Sequence, residues 1–333
     1  MSVRPPIACL GVGRMARGIA VAFAYAGHRV TLVDVKPRDD TAFAKAAAQA
    51  VGEVRTTLAT LAGFDLFSAS AVDGIAARVT VLREADAEDA LREAAVIFEG
   101  VPEVPDLKRE VFARVSKLAG AEPIIASTTS TILVDDLSPA VDHPRRFLNA
   151  HWLNPAFVIP LVELSPGRQT DTAVTDRLKA MLEGIGKVPI VCAARPGYIV
   201  PRIQALAMNE AARMVEEGVA SAEDIDKAIK YGFGIRFASL GMLEFIDYGG
   251  GDILYYASRY LTQALGDQRY AAPEIVERNM REGRIGLKTG AGFLDYGSLD
   301  IELYRAGRLK ALLDMLGFLG LSRPPVLPDQ TPK

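Results

Sequence analysis

The chain has 333 residues, half of them hydrophobic and about a quarter charged, with a formal net charge of −3. That length and composition predict an ordinary globular protein of two domains. No basic block exceeds Arg145-Arg146 and no apolar run nears the roughly 18 residues of a membrane span, which argues against nucleic-acid and membrane partners.

The first half alternates β-rich runs with helical patterns. Predicted strands are 7–11, 29–35, 78–82, 95–99, 123–127, 147–151, 161–164 and 188–192. Helical periodicity fills most gaps, at 15–25, 39–61, 86–93, 106–118 and 171–184. Such alternation predicts an α/β fold with a largely parallel, doubly wound sheet. From Arg195 onward only helices are predicted, at 199–217, 222–231, 240–247, 252–265, 273–282 and 299–319, with Gly249-Gly250-Gly251 joining two of them. Pro and Gly at Arg195-Pro196-Gly197 interrupt both patterns. The predicted domains are therefore residues 1–194 and 195–321, followed by a proline-rich tail, 322–333, expected to fray. Cys9 and Cys192 lie in apolar strand-like runs and read as buried thiols. Their usage, and an N-terminus that runs directly into a strand, predict a reducing cytoplasm. No Cys/His cluster has metal-ligand spacing, so no metal is expected.

Gly11-Val12-Gly13-Arg14-Met15-Ala16 has the form G-x-G-x-x-G/A, after a strand and opening a helix. Gly11 allows the tight turn, Gly13 lets backbone approach a pyrophosphate, and the helix N-terminus, with Arg14 and Met15, offers amides to the phosphates. Asp34 ends the next strand about twenty residues on, where a carboxylate takes ribose hydroxyls and repels a 2′-phosphate. Lys36 and Arg38 follow it closely, but NAD is the favoured cofactor.

His151, one of three histidines, precedes the Asn154-Pro155 break, and Glu163 follows twelve positions later at the end of a short apolar run. A strand-end histidine with a carboxylate behind it is suited to moving one proton. Beside a nicotinamide this means alcohol oxidation or carbonyl reduction. His28, in a helix-to-strand turn, reads as structural, and His143 in a polar loop carries no assigned role.

Further segments are Glu99-Gly100-Val101-Pro102-Glu103 with Lys108, Ser127-Thr128-Thr129-Ser130-Thr131, Arg195-Pro196-Gly197-Tyr198-Ile199, and Lys288-Thr289-Gly290-Ala291-Gly292-Phe293. With the glycine loop and the His151–Glu163 stretch, their order and spacing resemble the 3-hydroxyacyl-CoA dehydrogenase family from Ile7 to about Tyr296. The resemblance implies a Rossmann-like domain followed by a smaller all-helical domain through which two copies dimerise. It implies His151 as general base, Glu163 as its orienting carboxylate and Ser130 as a hydroxyl partner of the substrate oxygen. Glu103, Lys108, Asn154 and Lys288 are then expected to line the cofactor. The implied reaction is reversible, NAD-dependent oxidation of the 3-hydroxyl of a short L-3-hydroxyacyl-CoA, of the 3-hydroxybutyryl-CoA type.

Three departures bear on substrate. Pro201 stands where the family usually has Asn, so one polar contact is replaced, the substrate differs, or turnover is poor. The region after the second strand holds Lys45 and Arg55 but is otherwise largely small residues, so coenzyme A binding is not secured by it. Arg236 stands where acyl-CoA enzymes usually carry an apolar or small residue. It resembles instead the branch of gulonate dehydrogenase and crystallin-like proteins, where a buried guanidinium could grip a free carboxylate. The bland alternative is that Arg236 bridges surface acids such as Glu244. Three readings therefore stand: a thioester dehydrogenase, the same chemistry on a gulonate- or carnitine-like free hydroxy acid, and a non-catalytic NAD-binding protein.

Overall fold

The structure, a computed structural model, describes residues 4–325. Two compact units are present, one to Met208 and one from Asn209.

The first unit contains β1 (Ile7–Leu10), α1 (Arg14–Tyr25), β2 (Val30–Asp34), α2 (Asp40–Gly63), α3 (Val72–Ala76) and β3 (Val79–Arg83). It continues with α4 (Glu88–Glu93), β4 (Val96–Glu99), α5 (Pro105–Ala119), β5 (Ile124–Ser127), α6 (Val134–Leu137) and β6 (Phe147–Trp152). Then come β7 (Leu161–Pro166), α7 (Thr172–Glu183), β8 (Val188–Val191) and the start of α8 (Val200–Glu216). The strands form one sheet in the order β3-β2-β1-β4-β5-β6-β7-β8. Every neighbouring pair is parallel except β6 and β7. All eight predicted strands are found, within two residues at each end.

Alternate residues of β1 feed separate cores, as a sheet covered on both faces requires. Ile7 and Cys9 pack with Ile19, Phe23 and Leu178 on one face. Ala8 and Leu10 pack with Leu91, Val111 and Phe112 on the other. Helix ends follow local chemistry. Asp39 caps α2 by accepting from the Ala42 amide, and Pro105 opens α5, where a missing N–H costs nothing.

The second unit is helical, as expected: α9 (Ala222–Ala228), a π-helical turn (Ile229–Gly234), α10 (Ile235–Ser239), α11 (Met242–Gly249), α12 (Gly251–Leu265), α13 (Glu274–Arg281) and α14 (Ile301–Phe318). Gly250, with φ +110°, turns the chain between α11 and α12. The sheet unit does not stop at the Arg195-Pro196-Gly197 turn. It takes in the first half of α8, because the residues after that turn are tied to β6 and β7. Of the proline-rich tail, residues 322–325 carry no regular structure and 326–333 lie outside the described residues. Among the described residues no helix is long and apolar enough to cross a membrane.

Candidate active site

The strand order reverses between β1 and β4, and ligands of doubly wound sheets sit at the carboxyl edge of such a switch. Gly11 leaves β1 with φ +97°, and a Cβ there would lie 3.3 Å from the Gly100 carbonyl oxygen at the end of β4. Only glycine suits that conformation and that approach. α1 then starts from Gly13, which makes no side-chain cap, so its first amides remain available to an anion. Gly13 and Arg14 are exposed and Met15 is half-buried. A crevice of about 1260 Å³ runs from Gly11 and Gly13 past Gly100 to Asp34 and Arg38. This cradle of uncapped amides and close-approaching glycines fits a dinucleotide pyrophosphate.

Asp34 lines this crevice with the basic neighbours that the sequence places after it. It is buried, and its carboxylate accepts from the Lys36 amide at 3.3 Å and from Arg38 Nε at 2.6 Å. Of the two basic residues that follow it, Arg38 partly neutralises the acid and Lys36 meets it only through its backbone amide, which leaves the remaining carboxylate lone pairs for ribose hydroxyls.

The imidazole is placed by the one antiparallel pairing. In the β6–β7 register His151 stands opposite Glu163, so both side chains project from one face. His151 Nδ1 lies 2.8 Å from Glu163 Oε2 and both residues are buried. Glu163 Oε1 accepts from the amides of Ile199 and Val200, each at 2.9 Å. Burial pushes the Glu163 carboxyl up, but its hydrogen bonds from His151, Val200 and Ile199 and the neighbouring His151 charge outweigh this and hold it below its ordinary value. An ionised carboxylate accepts, so Nδ1 carries a proton, and in the neutral imidazole Nε2 then holds the lone pair. β1, β4, β5 and β6 are consecutive and parallel, so His151 and the glycine loop share one sheet edge, about 14 Å apart at ~4.8 Å per strand.

Ser130 follows β5 in a loop held by Glu103. Glu103 Oε1 accepts from the Ser130 amide at 2.9 Å, from the Thr131 amide and hydroxyl, each at 3.1 Å, and from the Thr129 hydroxyl. Ser130 itself is exposed. Burial raises the Glu103 carboxyl, but the Thr129 hydroxyl, Lys108 and the Thr131 amide together lower it. Glu103, partly exposed, therefore supports the Ser130 loop, and in its segment the lining of the crevice is Gly100, Val101 and Pro102.

Lys108 does not line the crevice as expected. Its ammonium is buried and bonds Glu99 Oε1 at 2.8 Å, Glu99 Oε2 at 3.0 Å and Glu103 Oε2 at 3.2 Å. Glu99 also accepts from the Val101 amide and the Ser127 hydroxyl. A cation shut away from water needs such partners, and here they tie the ends of β4 and β5 together. Asn154 is exposed in the β6–β7 loop, preceding a cis peptide to Pro155.

In the helical unit, Lys288 is largely exposed, 3.8 Å from Asp252. Arg236 is exposed rather than buried: its Nε donates to the Gly232 carbonyl at 2.6 Å and its guanidinium lies 4.9 Å from the Phe245 ring centroid. It does not bridge Glu244, whose carboxylate instead meets Arg308, Tyr304 and the Gly241 amide. Pro201 occupies the first turn of α8, one residue after the amides that bind Glu163. Proline is tolerated there, since first-turn amides have no helical partner. His28 bonds the Pro5 carbonyl at 2.8 Å, a structural role. Cys9 is buried and burial pushes its thiol far up, whereas Cys192 is only half-buried.

Several residues carry no assigned role in the sequence. Glu99 was legible only as an acid ending an apolar strand. Tyr198, in the Pro-Gly-Tyr turn, lies flat against His151, with centroids 5.1 Å apart and planes at 6°. Lys187 is buried and donates to the carbonyls of Ala156 and Ile159 at 2.7 and 2.8 Å, bracing the loop after β6. Its burial lowers the lysine below its ordinary value.

A dinucleotide crevice and a carboxylate-backed imidazole on one sheet edge define the class: an NAD-dependent dehydrogenase. Residues 6–195 match the 3-hydroxyacyl-CoA dehydrogenase NAD-binding domain and residues 197–296 the C-terminal domain of the same enzymes. The chain belongs to the 3-hydroxyacyl-CoA dehydrogenase family and is an oxidoreductase that uses NAD. It is 30% identical over 308 residues to a 5-formyl-3-hydroxy-2-methylpyridine 4-carboxylate 5-dehydrogenase of Mesorhizobium japonicum, covering 92% of this chain and 96% of the relative. It is 33% identical over 254 residues to lambda-crystallin of Oryctolagus cuniculus, covering 75% and 76% of the two chains. The solved 3-hydroxyacyl-CoA dehydrogenase of Archaeoglobus fulgidus superposes with a TM-score of 0.75 at 31% identity, covering 96% of this chain and 100% of the other.

Proposed function

We propose that the protein oxidises the 3-hydroxyl of a short L-3-hydroxyacyl-CoA, of the 3-hydroxybutyryl-CoA type, and runs the reverse reduction. The observation that carries the chemistry is the buried 2.8 Å contact between His151 and an ionised Glu163. The bound nicotinamide supplies the hydride acceptor. In the oxidative direction His151 Nε2 takes the hydroxyl proton as the carbon loses its hydride. Glu163 fixes the tautomer beforehand and stabilises the imidazolium afterwards. The exposed Ser130 hydroxyl donates to the same oxygen as it becomes a carbonyl. Gly11, Gly13, Arg14, Met15 and Asp34 bind the dinucleotide, Glu103 and Asn154 complete its surroundings, and Lys108 acts through Glu99 and Glu103.

The thioester is favoured over a free acid because Arg236, the carboxylate grip a free acid would need, is exposed with its Nε already engaged. The free-acid reading draws on the match to a pyridine-carboxylate dehydrogenase along 96% of that relative's length. A panel assay following NADH separates them. On the thioester reading, acetoacetyl-CoA is reduced, Arg236→Met leaves that activity in place, and free hydroxy acids are not oxidised. Turnover of free acids alone, abolished by Arg236→Met, would overturn it.

The helical unit fits a homodimer contact. Ile253, Tyr256 and Tyr260 share one face of α12 and are 62%, 61% and 70% exposed, an apolar surface unusual for a monomer. A cytoplasmic location is consistent with two unpaired cysteines.

A further inference from the structure

We propose that Tyr198 is a positioning residue that locks the His151 imidazole and the Ser130 loop into one rigid unit. The proposal rests on the reading of His151 as the base. A single hydrogen bond at Nδ1 tolerates rocking of the imidazole about χ1 and χ2, and that rocking carries Nε2 off its target. A second ring lying parallel to it, with centroids 5.1 Å apart and planes at 6°, blocks that motion on one face.

The phenol ties the same ring to the substrate side. Tyr198 Oη donates to the Thr129 carbonyl at 2.9 Å and accepts from Asn149 Nδ2 at 3.0 Å. Asn149 Nδ2 also donates to the Ile132 carbonyl at 2.9 Å, so the network fastens the chain on both sides of Ser130. Burial keeps the phenol protonated, and thus a donor, at any working pH.

The backbone shows that the ring is held in place by its surroundings. Gly197 and Tyr198 take φ values of +78° and +44°, and a bulky residue adopts the latter only when neighbouring contacts impose it. The next two amides are those that bind Glu163. One short turn therefore meets the imidazole face, its carboxylate and the hydroxyl loop.

The test compares Tyr198→Phe, Tyr198→Leu and His151→Asn by steady-state kinetics, NADH affinity and thermal melting. Tyr198→Leu should lower kcat about 100-fold, the scale of a small misplacement of a reacting group, with the NADH Kd within about twofold of wild type. Tyr198→Phe retains the stack and should restore most of that loss, leaving kcat about fivefold low from the missing hydroxyl bond. A Tyr198→Leu protein with wild-type kcat, or one whose loss merely tracks its NADH-competent fraction, overturns the proposal. If Tyr198→Leu does not fold, Tyr198→Phe decides: full kcat overturns the coupling, and reduced kcat at unchanged NADH affinity supports it. Activity surviving in His151→Asn would instead remove the reading of His151 as base, so the two failures are distinguishable.

Discussion

Glu163→Gln is the sharpest probe of the dyad, because it changes one atom in a site with three defined contacts. The native carboxylate meets His151 Nδ1 at 2.8 Å through Oε2 and two backbone amides at 2.9 Å through Oε1. A glutamine oxygen can keep both amides, which leaves its NH2 facing the imidazole. Nδ1 must then give up its proton and accept, so Nε2 becomes protonated and cannot act as a base. The loss of a positioned base costs about 10²–10⁴-fold, and the charge-assisted bond to the imidazolium, worth about 1.5–3 kcal/mol, disappears as well. The expected fall in kcat for alcohol oxidation is therefore about 10³-fold. The NADH Kd, read by fluorescence, should stay within about twofold, since the glycine loop lies about 14 Å away at ~4.8 Å per strand. Melting should shift only slightly, because both amides stay bonded. A kcat within about threefold of wild type, measured across pH, would refute the assignment of Glu163, since no base of this class is so weakly dependent on its orienting partner.

Gly11→Ala should weaken NADH binding at least tenfold in titration and destabilise the fold by about 1–2 kcal/mol, because its φ is +97° and the new Cβ meets the Gly100 carbonyl at 3.3 Å. Lys187→Met leaves two carbonyls without their donor; denaturant melts should show a loss of about 1–3 kcal/mol, and none at all would mean water replaces the ammonium. Glu103 is held below its ordinary carboxylate value in the fold, so its contribution is present above that value and lost as pH falls through the depressed one. The stability gap between wild type and Glu103→Gln should accordingly be largest near neutrality and close below about pH 4; a gap that widens on acidification would contradict it.

The strands and long helices were legible because apolar runs and helical periodicity repeat over enough residues to be read. The short helices at Val72–Ala76 and Val134–Leu137 were not, since one turn shows no period. The π-helical turn Ile229–Gly234 was merged into the preceding helix because its pattern continues that helix without a break. His151 and Glu163 announced themselves through strand-end placement, and the register then did what the spacing suggested. Lys108 misled because its partner Glu99 ends a different element, so nothing local shows that its charge is spent inside the protein. The contact of Tyr198 with His151 was illegible for a related reason: the ring reaches the imidazole only after a left-handed turn that no side-chain pattern encodes. Arg236 stood out in the sequence, but burial, the property its proposed role required, depends on packing and was not met.

Pairing His151 with Glu163 across adjacent strands makes turnover a reporter of alignment. Sliding β7 past β6 by a single step would send the carboxylate to the opposite surface of the sheet, because side chains alternate. Such a chain could collapse and even hold the dinucleotide at β1, yet the imidazole would lack its acid. Residues added or removed between Trp152 and Leu161 disturb Asn154 and the carbonyls that Lys187 braces but leave the pairing register intact, whereas an odd change inside either strand silences the chemistry.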